Sequence, residues 1–261
     1  MTLSRTTRLM RGSALAVTAL FAAIVATPSF ADEPLPEAEV ILDKFVNACG
    51  GKTAFDKLEN RVVKGSFTIP AMGLSAPLIA YSARPNKSYT LIESDAFGKI
   101  EQGTDGEVVW EISTMSGPVV KEGEERAELL KIATFDRVIY WRDNFKSVET
   151  VGIDEVDGQR CYRVKQTPKV GNDEFFCYDA VTYLPIRIQM TLTSEMGDIP
   201  MVMIPSDYRK VDGVLIAHKA AVQAMQVERV MVTESIEHNV DLAADRFAPP
   251  AQIASLLAET E

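Results

Sequence analysis

The chain has 261 residues, with 27 Lys and Arg against 37 Asp and Glu, a formal charge of −10 and 46% hydrophobic residues. That acidity excludes a nucleic-acid binder, which needs clustered cations to displace phosphate counterions, and the apolar content excludes a chain disordered throughout. Two histidines, His218 and His238, and three cysteines without metal-ligand spacing imply neither a metal site nor a cofactor.

Arg5, Arg8 and Arg11 precede an apolar run from Ala14 to Ala26, followed by Thr27-Pro28 and the small residues Ser29 and Ala31. This pattern predicts a secretory signal peptide over residues 1–31, cut after Ala31. The apolar run is too short to span a membrane, and no cysteine follows it to carry a lipid. Cleavage leaves residues 32–261 as one domain with 24 basic and 37 acidic side chains, a charge of −13. No later segment is long enough to cross a bilayer, so a soluble, exported chain is expected.

Residues 37–49 place Ala38, Ile41, Leu42, Phe45, Val46 and Cys49 at helical spacing and stop at Gly50-Gly51. A shorter helical turn follows over 54–58. From Arg61 to Asn239 β-rich runs alternate with turns, and Asp105-Gly106, Asp157-Gly158 and Asp212-Gly213 are hairpin signals. The break at 117–143 carries a short helix from Gly123 and a second helical segment capped by Thr134. About 11 antiparallel strands are expected in one sheet, too long to stay flat, so it curls and offers a concave apolar face to three short helices. The fold class is mainly β with helices (α+β), ending in a helix over 251–258.

Cys161 and Cys177 lie on neighbouring strands, 159–167 and 174–179. If they face each other, a cross-strand disulfide contributes about 3 kcal/mol in the chain-entropy model; the alternative is two half-buried thiols. Six of the ten methionines, Met190, Met196, Met201, Met203, Met225 and Met231, fall between 190 and 231, as core filler or as an adaptable surface for acyl chains. Ile199–Pro205, apolar on both faces and bounded by prolines, reads as a covered edge strand. No nucleophile elbow, metalloprotease helix, phosphate loop or dinucleotide fingerprint occurs, and both histidines read as structural or exposed, so no enzyme is expected.

Ala83-Arg84-Pro85-Asn86-Lys87, then Thr104-Asp105-Gly106-Glu107-Val108-Val109-Trp110, resemble the Arg-Pro-Asn and Asp-Gly-x-x-x-Trp landmarks of the LolA/LolB-like periplasmic lipoprotein carriers. Val164–Lys169 and the closing Arg246-Phe247-Ala248-Pro249-Pro250 follow in the same order. The resemblance implies an unclosed antiparallel half-barrel covered by a helical lid, here about 117–143, with a cavity for acyl chains and Arg84 as the lid-controlling arginine. It implies a periplasmic carrier of acylated lipoprotein or lipid cargo, working between an inner-membrane exporter and an outer-membrane acceptor. On that fold the cavity candidates are Phe67, Ile69, Leu91, Trp110, Leu129, Ile132, Ile188, Met190, Leu192, Met201, Met203, Val230 and Val232. The competing class is an envelope sensor or scaffold on the same fold, binding a partner protein through an exposed edge such as 199–205. A hydrolase acting on envelope lipids is the third.

Overall fold

Helix α1 (Ala38–Ala48) buries Ala38, Ile41, Leu42 and Phe45, the stripe read from its spacing. The computed structural model to which it belongs describes residues 34–96, 98–194 and 197–260. The expected signal peptide, and Met196, lie outside the described residues. Beyond α1, Gly50 takes φ +112 and sits so close to Gly213 that a Cβ would come within 2.4 Å of its carbonyl oxygen. The Cys49 carbonyl accepts the Leu215 N–H at 2.9 Å. The helix is thereby stitched to a turn 160 residues later, followed at once by α2 (Lys52–Phe55).

A first meander then runs β1 (Asn60–Ile69), β2 (Leu74–Ala83), β3 (Lys87–Ser94), β4 (Gly98–Thr104), β5 (Val109–Ser113) and β6 (Gly117–Lys121). Helices α3 (Gly123–Ala133) and α4 (Trp141–Asn144) follow. The second meander is β7 (Phe145–Val156), β8 (Gln159–Pro168), β9 (Glu174–Asp179), β10 (Pro185–Ser194), β11 (Gly197–Val211), β12 (Val214–Ala224) and β13 (Val227–His238), with α5 (Ala251–Thr260) closing the chain. All thirteen strands join one antiparallel sheet in the order β6-β5-β4-β3-β2-β1-β13-β12-β11-β10-β9-β8-β7. The meanders meet where β1 pairs with β13, and β6 and β7 lie at opposite edges. The β6–β7 connection therefore travels from edge to edge, and that necessity places α3 and α4 across the sheet.

Turn chemistry explains the hairpins. Asp157-Gly158 and Asp212-Gly213 take positive φ at both residues, the type I′ geometry that matches strand twist. Met225-Gln226 does the same without glycine, between β12 and β13. In the β4–β5 turn Asp105 Oδ1 accepts the N–H groups of Glu107 and Val108, both at 2.9 Å.

Several expectations are corrected. Gly117–Lys121, placed in the helical insertion, is edge strand β6, as suits its β-branched Val119 and Val120. Thr134 does not cap a second helix; it ends α3, its hydroxyl donating to the Leu130 carbonyl, and turns occupy 134–140. Ile199–Pro205 does not belong to an edge strand: β11 pairs with β10 up to Met203 and with β12 from Met201 onward, so Met201–Met203 are paired on both sides. The Cys161–Cys177 pairing is also offset, because Cys161 faces Asp179 and Arg163 faces Cys177. The two cysteines are diagonal neighbours, a spacing of about 7–8 Å that suits a disulfide poorly. Both thiols are free and buried; burial and its contact with Cys177 push the Cys161 thiol up to about 12.

Gly65 marks the seam between the meanders. The β1–β13 register shifts between Lys64 and Gly65, and a Cβ at Gly65 would lie 2.0 Å from the Val232 carbonyl oxygen. The atoms it would meet are all backbone of β13, so nothing flexible is there to yield. Gly65→Ala is expected to lower stability by about 1–3 kcal/mol, read as a shifted urea midpoint; an unchanged midpoint would show that the seam relaxes freely.

Candidate functional site: a lidded concave face

Side chains alternate across a strand, so the register decides which residues share the face beneath the lid. Phe67 pairs with Ala76 on β2 and Met231 on β13, and Met231 with Ala220. One step along, Val222 leads through Met203 and Ile188 to Phe176 and Val164. This inner face is treated differently in its two halves. Over β8, β9 and β12 it is filled: Phe45, Phe55, Phe135, Ile139 and Trp141 pack on Val164, Phe176, Tyr178 and Val214 in one buried cluster. Over β2–β5, α3 bridges a cavity of about 530 Å³, its Leu129 and Ile132 opposite Ala80, Thr90 and Val109, with Leu192 of β10 at the far wall. A smaller cavity of about 340 Å³ lies against α1, lined by Phe45, Val138, Phe176, Ile188 and Ile216.

Arg61, Thr134 and Asp136 line both cavities. Arg61 Nη2 lies 2.9 Å from Asp136 Oδ1, an ion pair only 15% and 7% exposed. Arg61 Nε donates to His238 Nε2 at 3.0 Å, and His238 Nδ1 lies 2.9 Å from Asp212 Oδ2. A hydrogen-bonded chain of polar groups thus runs from the lid turn through the β1–β13 seam to the β11–β12 turn.

Arg84, just past β2, is the second tie. Its Nε donates to the Leu58 carbonyl at 2.7 Å, and its Nη2 to the Phe55 carbonyl at 2.9 Å and the Tyr140 hydroxyl at 2.8 Å. The guanidinium lies over the rings of Phe135 and Tyr140, and the Phe135 N–H donates to the Pro85 carbonyl at 2.9 Å. One planar fork of donors satisfies carbonyls at the end of α2 while holding the lid turn. Tyr140 donates to Asp56 Oδ1 at 2.9 Å; burial, then this bond, raises its phenol above the ordinary range against the pull of Arg84.

The inner face gathers Phe67, Ile69, Leu129, Ile132, Ile188, Met190, Leu192, Met201 and Met203 from the expected set. Leu91, Val230 and Val232 are corrections, whereas Trp110 borders the cavity although its ring packs on the other face. Leu91 pairs with Ile79 on the outer face, one residue out of step with the inward Ile92. Val230 and Val232 flank the inward Met231, and Val232 is 39% exposed. Trp110 stacks on the outer face with Tyr89, which contacts Tyr81, and Arg246 from the tail lies over both tyrosines. Helix α5, with Ile253 fully buried, covers this side beside β6. The residues missed are Arg61, Asp136 and the polar lining Ser82, Ser88, Thr90 and Gln102. Strict alternation in 87–94 carries that signal, but Tyr89 and Leu91 made the opposite face look like the interior. Among the described residues no group of three or more His, Cys, Asp or Glu is placed to hold a metal, and no helix is long and apolar enough to cross a membrane.

No family model matches the sequence, and no curated protein matches it. Solved structures share the fold. A DUF1329 family protein from Desulfovibrio piger is 16% identical with TM-score 0.55, over 80% of this chain and 96% of that one. A putative outer membrane lipoprotein-sorting protein domain from Vibrio parahaemolyticus is 11% identical with TM-score 0.55, over 81% and 97%. A LolA superfamily protein from Nitrosomonas europaea is 11% identical with TM-score 0.52, over 82% and 99%. The chain has this unclosed, lidded antiparallel fold in a divergent sequence.

Proposed function

We propose that the protein is a non-enzymatic carrier of hydrophobic cargo, binding acyl chains of a lipoprotein or another lipid under the lid and delivering them toward the outer membrane. The observation that carries this reading is the uneven inner face: over one half the buried cluster leaves about 340 Å³, while the other half keeps a cavity of about 530 Å³ bounded by α3, which side-chain ties hold down. Transfer of chains from water to such a face is favourable by about 0.8 kcal/mol per buried CH2. The signal-peptide pattern places the carrier in the periplasm, soluble once residues 1–31 are removed. A donor and an acceptor at the two membranes are its expected partners. A surface this acidic is repelled by anionic bilayers, which favours delivery through specific partner contacts.

Native mass spectrometry of the protein taken from its own periplasm tests the proposal. Co-purifying lipid or acylated protein is expected. A chain without cargo but with a stoichiometric protein partner would overturn it in favour of a scaffold. The sensor reading loses part of its sequence support, since Met201–Met203 in the middle of the 199–205 segment are paired on both sides.

A further inference from the structure

The cavity under α3 is not lined like a simple acyl pocket. Ser82 faces Ser88, which faces Thr104; one row on, Ala80, Thr90, Gln102 and Glu111 align across four strands. Within a row neighbouring residues lie about 4.8 Å apart, and the two rows are about 6.8 Å apart along the strands; all these residues line the cavity. Ser82, Ser88, Thr90 and Gln102 make no side-chain hydrogen bond among the described residues. One further row from the lid the face turns apolar, with Leu78, Ile92 and Ile100 aligned and Phe67 and Met231 beyond them. Hydroxyls and an amide close to the lid, hydrocarbon beyond: the floor is amphipathic along the strands.

Charge selects the kind of polar group. Both cations in the lining are already paired, Arg61 with Asp136 at 2.9 Å and Lys121 with Glu125 at 2.9 Å. Glu111 has no ion pair among the described residues, so the lining carries a net negative charge. A phosphate or carboxylate would meet three carboxylates and no available cation, whereas neutral hydroxyls would find donors and acceptors spaced on the scale of a sugar ring.

We infer that the cargo is an amphiphile with an uncharged, hydroxyl-bearing head group, a sugar or polyol, held by the Ser82–Ser88 and Thr90–Gln102 rows under α3 while its hydrocarbon runs over the Leu78–Ile92–Ile100 floor. This rests on the carrier reading above and narrows it. The test is calorimetric titration of the full mature chain with dodecyl maltoside, dodecyl phosphate and dodecanol, each below its micellar concentration. The maltoside is expected to bind at least about tenfold more tightly than the phosphate, and Thr90→Val with Gln102→Leu to erase that advantage. Glu111→Lys is an independent arm should the double variant fold poorly: a cation in the second row raises dodecyl phosphate affinity about tenfold. Phosphate binding as tight as maltoside in the unmodified chain overturns the head-group inference while dodecanol binding keeps the carrier. So does a Glu111→Lys chain that gains nothing for phosphate. Failure of all three probes to bind overturns both.

Discussion

Glu174→Ala is expected to cost about 3–5 kcal/mol of stability, the largest effect of any single change proposed for this chain. Glu174 is 1% exposed, and its Oε2 accepts from Arg137 Nη2 at 2.7 Å. Lys131 Nζ lies 3.1 Å from Oε1, at an angle too poor for a hydrogen bond, and 3.1 Å from Glu128 Oε1. Glu128, 2% exposed, also accepts the Thr193 N–H through Oε2 at 2.6 Å. The network pins the C-terminal half of α3 and the lid turn to β9 and β10. Removing its central carboxylate strands two buried cations with one acid, and a buried charge without its partner costs far more than the intact pair contributes. Urea unfolding measures the loss. Adding Arg137→Met to Glu174→Ala is expected to restore part of it, because the orphaned guanidinium is then gone. A loss under about 1 kcal/mol would show that water reaches the network and that α3 is not anchored there.

Arg84→Leu is expected to speed cargo release about 10–100-fold while the sheet stays folded. Arg84 makes three hydrogen bonds with one guanidinium, two to carbonyls beside α2 and one to the lid-turn Tyr140. A hydrogen bond to a charged group contributes about 1.5–3 kcal/mol, and losing the lid-side bond shifts the closed–open equilibrium by the corresponding factor. Leucine keeps the bulk over Phe135 but donates nothing. Tyr140→Phe removes the lid-side acceptor and the Tyr140–Asp56 bond but leaves Arg84 on its two carbonyls and over the ring, and is expected to give a smaller acceleration, about 3–10-fold. Transfer of a fluorescent acyl probe from loaded protein to acceptor vesicles reads both. Rates equal to the unmodified chain in both variants would show that the lid is held by the Arg61–Asp136 pair and the Glu174 network, not by Arg84.

Much of the site's scaffold was legible as pattern. The α1 stripe, the Asp-Gly hairpins and the alternation of Ile188, Met190 and Leu192 each reflect a local period that neighbouring residues enforce on one another. Arg84 was legible only through its Arg-Pro-Asn context, since an arginine after a strand is otherwise an ordinary surface cation. The polar rows were not legible. On β3 and β5 both faces are covered, the inner by α3 and the outer by the tail with Arg246 and α5, so Leu91 and Trp110 look as interior as Ile92 and Val109.

By itself, then, the sequence determined an acidic chain, its first and last helices, its antiparallel hairpins and an apolar face in want of a cover, because the elements follow from short-range periodicity and turn chemistry. Only the tertiary structure decided that β1 closes on β13, that Cys161 lies diagonal to Cys177, that Met201–Met203 are paired on both sides, and that rows of hydroxyls line the cavity. These depend on register between strands far apart in the chain, and a shift of a single residue sends every side chain of a strand to the opposite face.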